Sequence, residues 1–381
     1  MTVEVIELAG LPRLHAAWRD LYGRSLEPNI FLDPDFALPS FAYLYPLGLK
    51  ILAVFGAEPE RRLLALAPVV PPRLPFGAAR AYMHKQAALG LPLLDRMAAG
   101  SALIKLIDTV RTLPAMPGAL VFSDVPRDGP TYRLFREIYG QGGLRLLSQY
   151  DRAALSIAPD DRGTGRKSKG DKNSFRRLRR LSEKGAVSYR ILRGADVAAA
   201  MTEFLALERS GWKGASKTAL ASTPERAGFA RNMAEALARD DRLWLESLDL
   251  DGKAVAMGIL MKDGDSAYFW KAAYDEAHAA LSPGVLLTRE VTGRLLASRS
   301  PLKADSCAAP NHPMIDHLWP QRITMLDLGL VVIPSWRGRL ALTAESLRRG
   351  LRNMAKGLLR RSSTGKALMG GTLIKTWRAR S

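Results

Sequence analysis

Glu208 falls on the apolar face of a helical stripe, four residues after Phe204. A carboxylate there is costly unless it is paired or used, which makes it the first candidate for a general base. The competing reading is a buried carboxylate satisfied by a neighbouring Arg or Lys. Trp212 and Lys213 follow a helix stop at Gly211, a place for exposed residues to line an acceptor cleft, or for the tryptophan to plug a domain contact. Ser282-Pro283-Gly284-Val285 opens another helix. Proline suits a first turn and glycine allows close backbone approach, while the unpaired amides and the dipole of a helix start favour an anion. The bland alternative is a simple helix-opening turn. Lys271, Tyr274 and Asp275 cap an apolar strand, where they either anchor a ligand or are solvated; Asp275 joins Glu208 as a candidate catalytic carboxylate. Arg176, Arg177, Arg179 and Arg180 crowd one short helix. They are suited to paired contacts with phosphate oxygens, or form a solvated face. Cys307, His312 and His317 do not have the spacing of a structural zinc site, Pro313 interrupts them, and there is no second cysteine. No metal is expected. Cys307 as a nucleophile would require an oriented histidine, and the structural reading is preferred. There is no P-loop and no intact dinucleotide fingerprint.

The elements that must position these residues follow from periodicity. Phe175, Leu178 and Leu181 mark a basic helix over 172–184, and Val187, Tyr189 and Ile191 alternate as a strand. Val197, Met201, Phe204 and Leu205 define a second helix, and Phe229, Met233 and Leu237 a third after Pro224. A three-stranded meander follows over 242–272, turning at Asp251-Gly252 and Asp263-Gly264, among the strongest short-range hairpin signals. Leu286, Leu287, Val291 and Leu295 place a helix after Pro283-Gly284, and strands near 302–306 and 323–332 complete this unit. Residues 1–158 read as a separate mixed α/β unit without a catalytic motif. It has an early helix at Trp18 and Leu21, and a loop marked by Pro28, Pro34 and Pro39. A hairpin over 49–70, a helix near 101–113, a strand at 119–123, a helix near 132–139 and a strand at 144–157 follow. The polar, Gly-rich stretch 159–170 reads as a linker opening the second unit, 159–333.

A chain of 381 residues with 47% hydrophobic and 24% charged residues can bury the cores of two domains. No run reaches the length needed to span a bilayer, the start lacks the pattern of a secretory signal, and one cysteine fits a reducing compartment. The expected location is cytoplasmic, with peripheral contact on the inner face of the membrane. The net charge of +19 attracts anions: nucleic acid, acidic headgroups or phosphate-bearing cofactors. Much of it lies in the tail, 334–381, where Leu340, Ala344, Leu347, Leu351, Met354 and Leu358 form one apolar seam. Arg348, Arg349, Arg352, Lys356, Arg360 and Arg361 surround that seam, with Glu345 as the sole acid. A basic amphipathic helix of this kind suits an anionic membrane surface or a partner, through 338–361.

The element order over 170–333 is that of the GNAT fold. The sequence also resembles the GNAT-like acyltransferases grouped with the cellulose-biosynthesis CelD type and, more distantly, the Fem peptidoglycan transferases. The resemblance rests on 175–181 (FRRLRRL), Leu207-Glu208, Gly211-Trp212-Lys213-Gly214, Thr218-Ala219, Phe269-Trp270-Lys271, Tyr274-Asp275-Glu276 and Ser282-Pro283-Gly284, with a weaker echo at 29–34. It implies two tandem GNAT-like units of mixed α/β sheet, the first degenerate, followed by the basic tail. It implies that the fourth strand and its neighbour splay to admit the pantetheine arm of acyl-CoA, acetyl-CoA being favoured. Phe269, Trp270 and Lys271 would then lie along the donor, Ser282, Pro283, Gly284 and Val285 at its pyrophosphate, and Trp212, Lys213, Tyr274, Arg176 and Arg177 toward the amine acceptor. The usual loop has Arg or Gln followed by two glycines; one glycine and a proline stand here, leaving an acyl carrier protein or an aminoacyl-tRNA as alternative donors. Three functions are thus expected in order: N-acyl transfer in surface-polysaccharide or envelope biosynthesis, aminoacyl-tRNA-dependent transfer of the Fem kind, and a non-catalytic membrane-associated binding module.

Overall fold

The computed structural model describes residues 1–46, 48–157, 169–298, 300–352 and 354. The expected linker falls almost wholly outside the described residues, as does the tail beyond 354 with Lys356, Leu358, Arg360 and Arg361. In the first half, β1 (Thr2–Ile6) leads into α1 (His15–Gly23) and α2 (Pro34–Leu44), then β2 (Lys50–Phe55), β3 (Leu63–Val70), β4 (Ala78–Ala81) and the short β5 (Leu93–Leu94). α3 (Ala99–Val110), β6 (Ala119–Pro126), α4 (Pro130–Gly143) and β7 (Leu144–Ser156) follow. In the second half, α5 (Lys169–Ser182) precedes β8 (Val187–Leu192), α6 (Val197–Ser210), α7 (Trp212–Ala215) and α8 (Pro224–Ala238). The chain continues as β9 (Leu243–Leu250), β10 (Lys253–Asp263), β11 (Ser266–Tyr274), α9 (Pro283–Ala297), β12 (Lys303–Asp305), α10 (Ile315–Leu318) and β13 (Gln321–Val331). A last helix, α11, runs over 336–352.

Each half repeats one plan: a four-stranded antiparallel meander, a helix, and a fifth strand parallel to the fourth. In the first half the meander is β1-β2-β3-β4, α3 crosses over, and β6 pairs with β4 in parallel. In the second it is β8-β9-β10-β11, α9 crosses over, and β12 pairs with β11 in parallel. The final strands are then exchanged. β7 leaves the first half to pair with β12, and β13 leaves the second to pair with β6. β7 and β13 also pair with each other, from Gln321↔Ala154 to Leu330↔Leu144. The strand expected over 323–332 therefore forms, but it closes the first half rather than the second. The exchange covers strand edges that would otherwise expose unpaired amides and carbonyls, and it makes one continuous sheet of the two repeats. The fold is thus two tandem GNAT-like units.

Local chemistry accounts for most boundaries. Asp251 and Gly252 both take positive φ, matching the two-residue turn between β9 and β10. The next turn lies one residue later than expected, with Asp263 still paired to Ser266. The segment expected as a proline-marked loop contains α2. Asp33 caps it by accepting from the Asp35 amide, Pro34 occupies the first turn, and Pro39 is accommodated inside.

The halves share a core. Ile30, Phe31, Phe36, Ala88 and Leu89 of the first pack with α6, α8 and the second-half meander. Arg242 adds a charged link, donating to Asp33 at 2.6 Å, while Tyr22 donates to Asp263. None of the described helices is long and apolar enough to cross a membrane.

A candidate acyl-transfer site in the strand splay

β11 and β12 stay paired for three residues, Ser266↔Lys303, Ala267↔Ala304 and Tyr268↔Asp305, and then diverge. A cavity of about 490 Å³ opens where they part. Its near wall is Phe269–Tyr274, the continuation of β11, which stays paired with β10 but has lost β12 on its other edge. Its far wall is Ser306-Cys307-Ala308 with His312–Ile315, and the end of α6 with Trp212 and Lys213 closes one side.

The divergence is built into the chain at Cys307, which has a left-handed φ of 52°. Asp305 accepts from the Cys307 amide at 2.8 Å and from the buried Arg152 of β7 at 2.6 Å. Arg152 also donates to the Ala88 carbonyl at 3.0 Å. The exchanged strand and the first half thus hold the point at which the sheet opens. They hold the near wall too, because the Trp270 indole donates to the Gln86 carbonyl at 2.7 Å. Behind it, His84 packs on Phe36 and Phe229 and receives the Gln86 amide on Nδ1. Burial, and then the charge of Lys271, push the His84 imidazole down to about 3, so it is neutral.

Glu208 is 2% exposed and stands at the cavity. Its Oε2 accepts from the Leu220 amide at 2.7 Å and its Oε1 from Lys213 Nζ at 3.4 Å. Lys213 in turn donates to the Ala272 carbonyl at 2.7 Å. The carboxylate therefore has the lysine partner that burial demands. Lys271 lies on the adjacent wall, its ammonium 5.3 Å from the Trp270 ring centroid. Burial lowers the Lys271 ammonium to about 8, with Glu208 opposing the shift and Lys213 adding to it. Its side chain faces the confined cavity, where little water is available to solvate the charge.

Of the far wall, the sequence singled out Cys307 and His312 only as a metal or nucleophile question, and Ala308, Pro313, Met314 and Ile315 not as lining at all. His312 Nδ1 accepts from the Met314 and Ile315 amides, each at 3.3 Å, which leaves the proton of a neutral ring on Nε2. Burial lowers its pKa against the pull of Asp316, with Lys213 adding to the fall. The Cys307 thiol is pushed up, first by burial and then by Asp305, and stays protonated at neutral pH. Among the described residues, no cluster of three or more His, Cys, Asp or Glu is placed to hold a metal ion.

The remaining candidates divide. Phe269, Trp270, Lys271, Tyr274 and Gly284 line the cavity, as do Glu208, Trp212 and Lys213. Ser282, Pro283 and Val285 do not line it; they form the start of α9 just behind. There Pro283 has no amide hydrogen, and the Val285 and Leu286 amides both donate to the Ser282 carbonyl. Asp275 lies outside the lining, where it accepts from the Ala277 amide at 2.9 Å and caps a short 3-10 turn. Arg176 is exposed on α5 with Asn173, and neither Arg176 nor Arg177 reaches the cavity wall.

The four-strand meander, the crossover helix and the splayed parallel strand agree with comparisons to known proteins. Residues 168–300 match the family model of the acetyltransferase (GNAT) domain. Solved structures with this fold cover most of the chain. The C-terminal domain of a putative lysylphosphatidylglycerol synthetase from Agrobacterium fabrum is 12% identical, with a TM-score of 0.54 over 88% of this chain and 96% of that one. FemX is 11% identical, with a TM-score of 0.53 over 87% and 97%. L-PGS from Bacillus licheniformis is 12% identical, with a TM-score of 0.52 over 89% and 96%. At these identities the likeness is one of fold. A search of curated proteins finds no match.

Proposed function

We propose that the protein is an N-acyltransferase that draws an acyl group from a thioester donor in the β11–β12 splay and passes it to an amine. The observation that carries this reading is the divergence after Tyr268↔Asp305, which leaves the backbone of 269–274 facing a cavity of about 490 Å³. An extended amide-bearing arm can pair with that backbone as an added strand, while Gly284 admits it close to the start of α9.

Lys271 is the group proposed to take the proton from the amine. A base works best with a pKa near the operating pH, and about 8 meets that requirement. Glu208, with both oxygens already accepting, acts through its charge on Lys271 rather than by receiving the proton itself. His312 Nε2–H supplies a donor for the oxyanion of the tetrahedral intermediate, and Trp212 with Tyr274 forms the rim for the acceptor. Acyl-CoA is the favoured donor, with the acceptor in surface-polysaccharide or envelope assembly, as the CelD-type resemblance implies.

One observation favours a second reading. With Pro283 lacking an amide hydrogen and the Val285 and Leu286 amides both donating to the Ser282 carbonyl, α9 presents few free donors to a pyrophosphate. An acyl carrier protein or an aminoacyl-tRNA would place less demand on that helix start. One solved structure of this fold is named as a domain of a putative lysylphosphatidylglycerol synthetase, and others as L-PGS and FemX, which fits an aminoacyl donor.

Thiol release from acetyl-CoA and longer acyl-CoAs, measured with a panel of amino sugars and amines, tests the first reading. Turnover should rise with pH to a half-maximum near 8, since the base is the neutral amine present above that value. Lys271→Met should lower turnover by about 100-fold or more and remove this limb. Glu208→Gln should move the limb to lower pH, because the carboxylate holds the Lys271 value up. An unchanged profile in both variants would remove Lys271 as the base. Transfer from aminoacyl-tRNA with no use of any acyl-CoA would establish the second reading instead.

A further inference from the structure

Among the described residues, the large side chains of the tail's apolar seam face outward. At about 100° per residue, Trp336, Leu340, Leu347, Leu351 and Met354 fall within about 60° of one another on α11 and its continuation. All five are exposed, from 56% at Leu340 to 66% at Trp336. The opposite side makes the contacts with the sheet. Ala341 and Leu342 pack on Ala78, Ala119 and Val121 of β4 and β6. Gly338 approaches so closely that a Cβ there would lie 2.3 Å from the Ile333 carbonyl and 2.9 Å from that of Gly118.

Charge then fixes the helix in place. Glu345 is buried and receives Arg80 at 2.6 Å, Arg348 at 2.7 Å and Arg349 at 2.8 Å. Burial alone would raise the Glu345 carboxyl, but these bonds bring it down to about 2. Arg349 also reaches Asp327 of β13. The helix is therefore docked through its one acid, leaving the apolar stripe outward between Arg337 and Arg348 on one side and Arg339 on the other. Beyond it, residues 355–381 contain seven further Lys and Arg and no acid.

We propose that this outward stripe is a membrane-interface surface that seats the protein on anionic lipid headgroups, the aliphatic side chains entering the headgroup–acyl boundary and the arginines pairing with phosphate. Charge complementarity selects this occupant: an aliphatic stripe rimmed by arginine and followed by an acid-free basic segment matches an anionic interface. A second copy of the chain would bring the same arginines against each other. Because the docking face is independent of the stripe, orientation on the membrane is set by the fold. The inference does not depend on the acyl-transfer reading.

Co-flotation of the full chain with vesicles of phosphatidylcholine alone, or with one third phosphatidylglycerol, is the test. Binding is expected to the anionic vesicles, to weaken with salt, and to be much lower on phosphatidylcholine alone. The double substitution Leu347→Glu, Leu351→Glu should reduce it by about tenfold or more, with the thermal transition unchanged because both sites are exposed. Arg337→Glu with Arg339→Glu should reduce binding to anionic vesicles while leaving the stripe intact. Equal binding of the wild-type chain to both vesicle types, or no loss in either double variant, would overturn the proposal. So would a concentration-dependent dimer that the Leu347→Glu, Leu351→Glu chain no longer forms.

Discussion

The two halves follow the same plan, yet one is filled where the other is open. In both, the fourth and fifth strands pair in parallel for three residues and then part. In the second half the gap beyond Tyr268 is a cavity. In the first half the chain after β4 returns into the gap: Gly90 lies so near β6 that a Cβ there would be 2.2 Å from the Ser123 carbonyl. α3 covers one face of these strands through Leu103, Leu106 and Ile107, and α11 the other through Ala341 and Leu342. The filled half is not idle. Gln86, Ala88 and His84 come from the returning segment, and they position Trp270, Arg152 and the environment of Lys271. Of the two repeats, one holds the candidate site and the other supports it.

That division can be broken by substitutions on either side. The largest effect should come from closing the open half. Ala308→Trp, on the far wall, should weaken donor binding by about 100-fold, since a filled cavity can admit the arm only by displacing packed structure. Isothermal calorimetry would show it, with the fold preserved by circular dichroism. Gly90→Ala disturbs the filled half. It should lower stability by about 1–3 kcal/mol in urea unfolding, while donor affinity changes little. Smaller still is the coupling of the halves through one hydrogen bond. Trp270→Phe removes the bond to the Gln86 carbonyl and should lower stability by about 1 kcal/mol, with a loss in donor affinity that Gly90→Ala does not show. If Gly90→Ala and Ala308→Trp affect donor binding equally, the two halves do not differ as described.

Titration of Lys271 sharpens the same contrast. The charged form is disfavoured in the fold, where the pKa is about 8 against an ordinary 10.5. Between those values the unfolded chain binds more protons, so this group's contribution to stability rises with pH through that window. Lys271→Met should accordingly raise the thermal transition at pH 7, and the gain should shrink toward pH 10. A base held in a desolvating environment behaves in this way; a solvated surface lysine does not.

Much of the second half was legible because its signals are local. Asp251-Gly252 fixes a turn by positive φ at both residues, and the stripe Val197, Met201, Phe204 and Leu205 is buried as its period requires. β4 escaped notice because its four residues, three alanines and Arg80, carry no alternation. The strand exchange is a non-local choice that periodicity cannot record, and with it the buried Arg152–Asp305 pair that opens the splay. The far wall, from Ser306 to Ile315, is irregular chain whose lining role depends on that opening. For the tail, periodicity revealed an apolar face but not which face packs. Small side chains and a multiply paired Glu345 dock the helix more closely than the leucine seam could.

The most direct measurement is the stoichiometry of donor binding to the intact chain, by calorimetry with acetyl-CoA, longer acyl-CoAs and acyl carrier protein. The account predicts saturable binding at one donor per chain, abolished by Ala308→Trp and retained by Gly90→Ala. Two equivalent sites, or no binding of any acyl thioester, would contradict it.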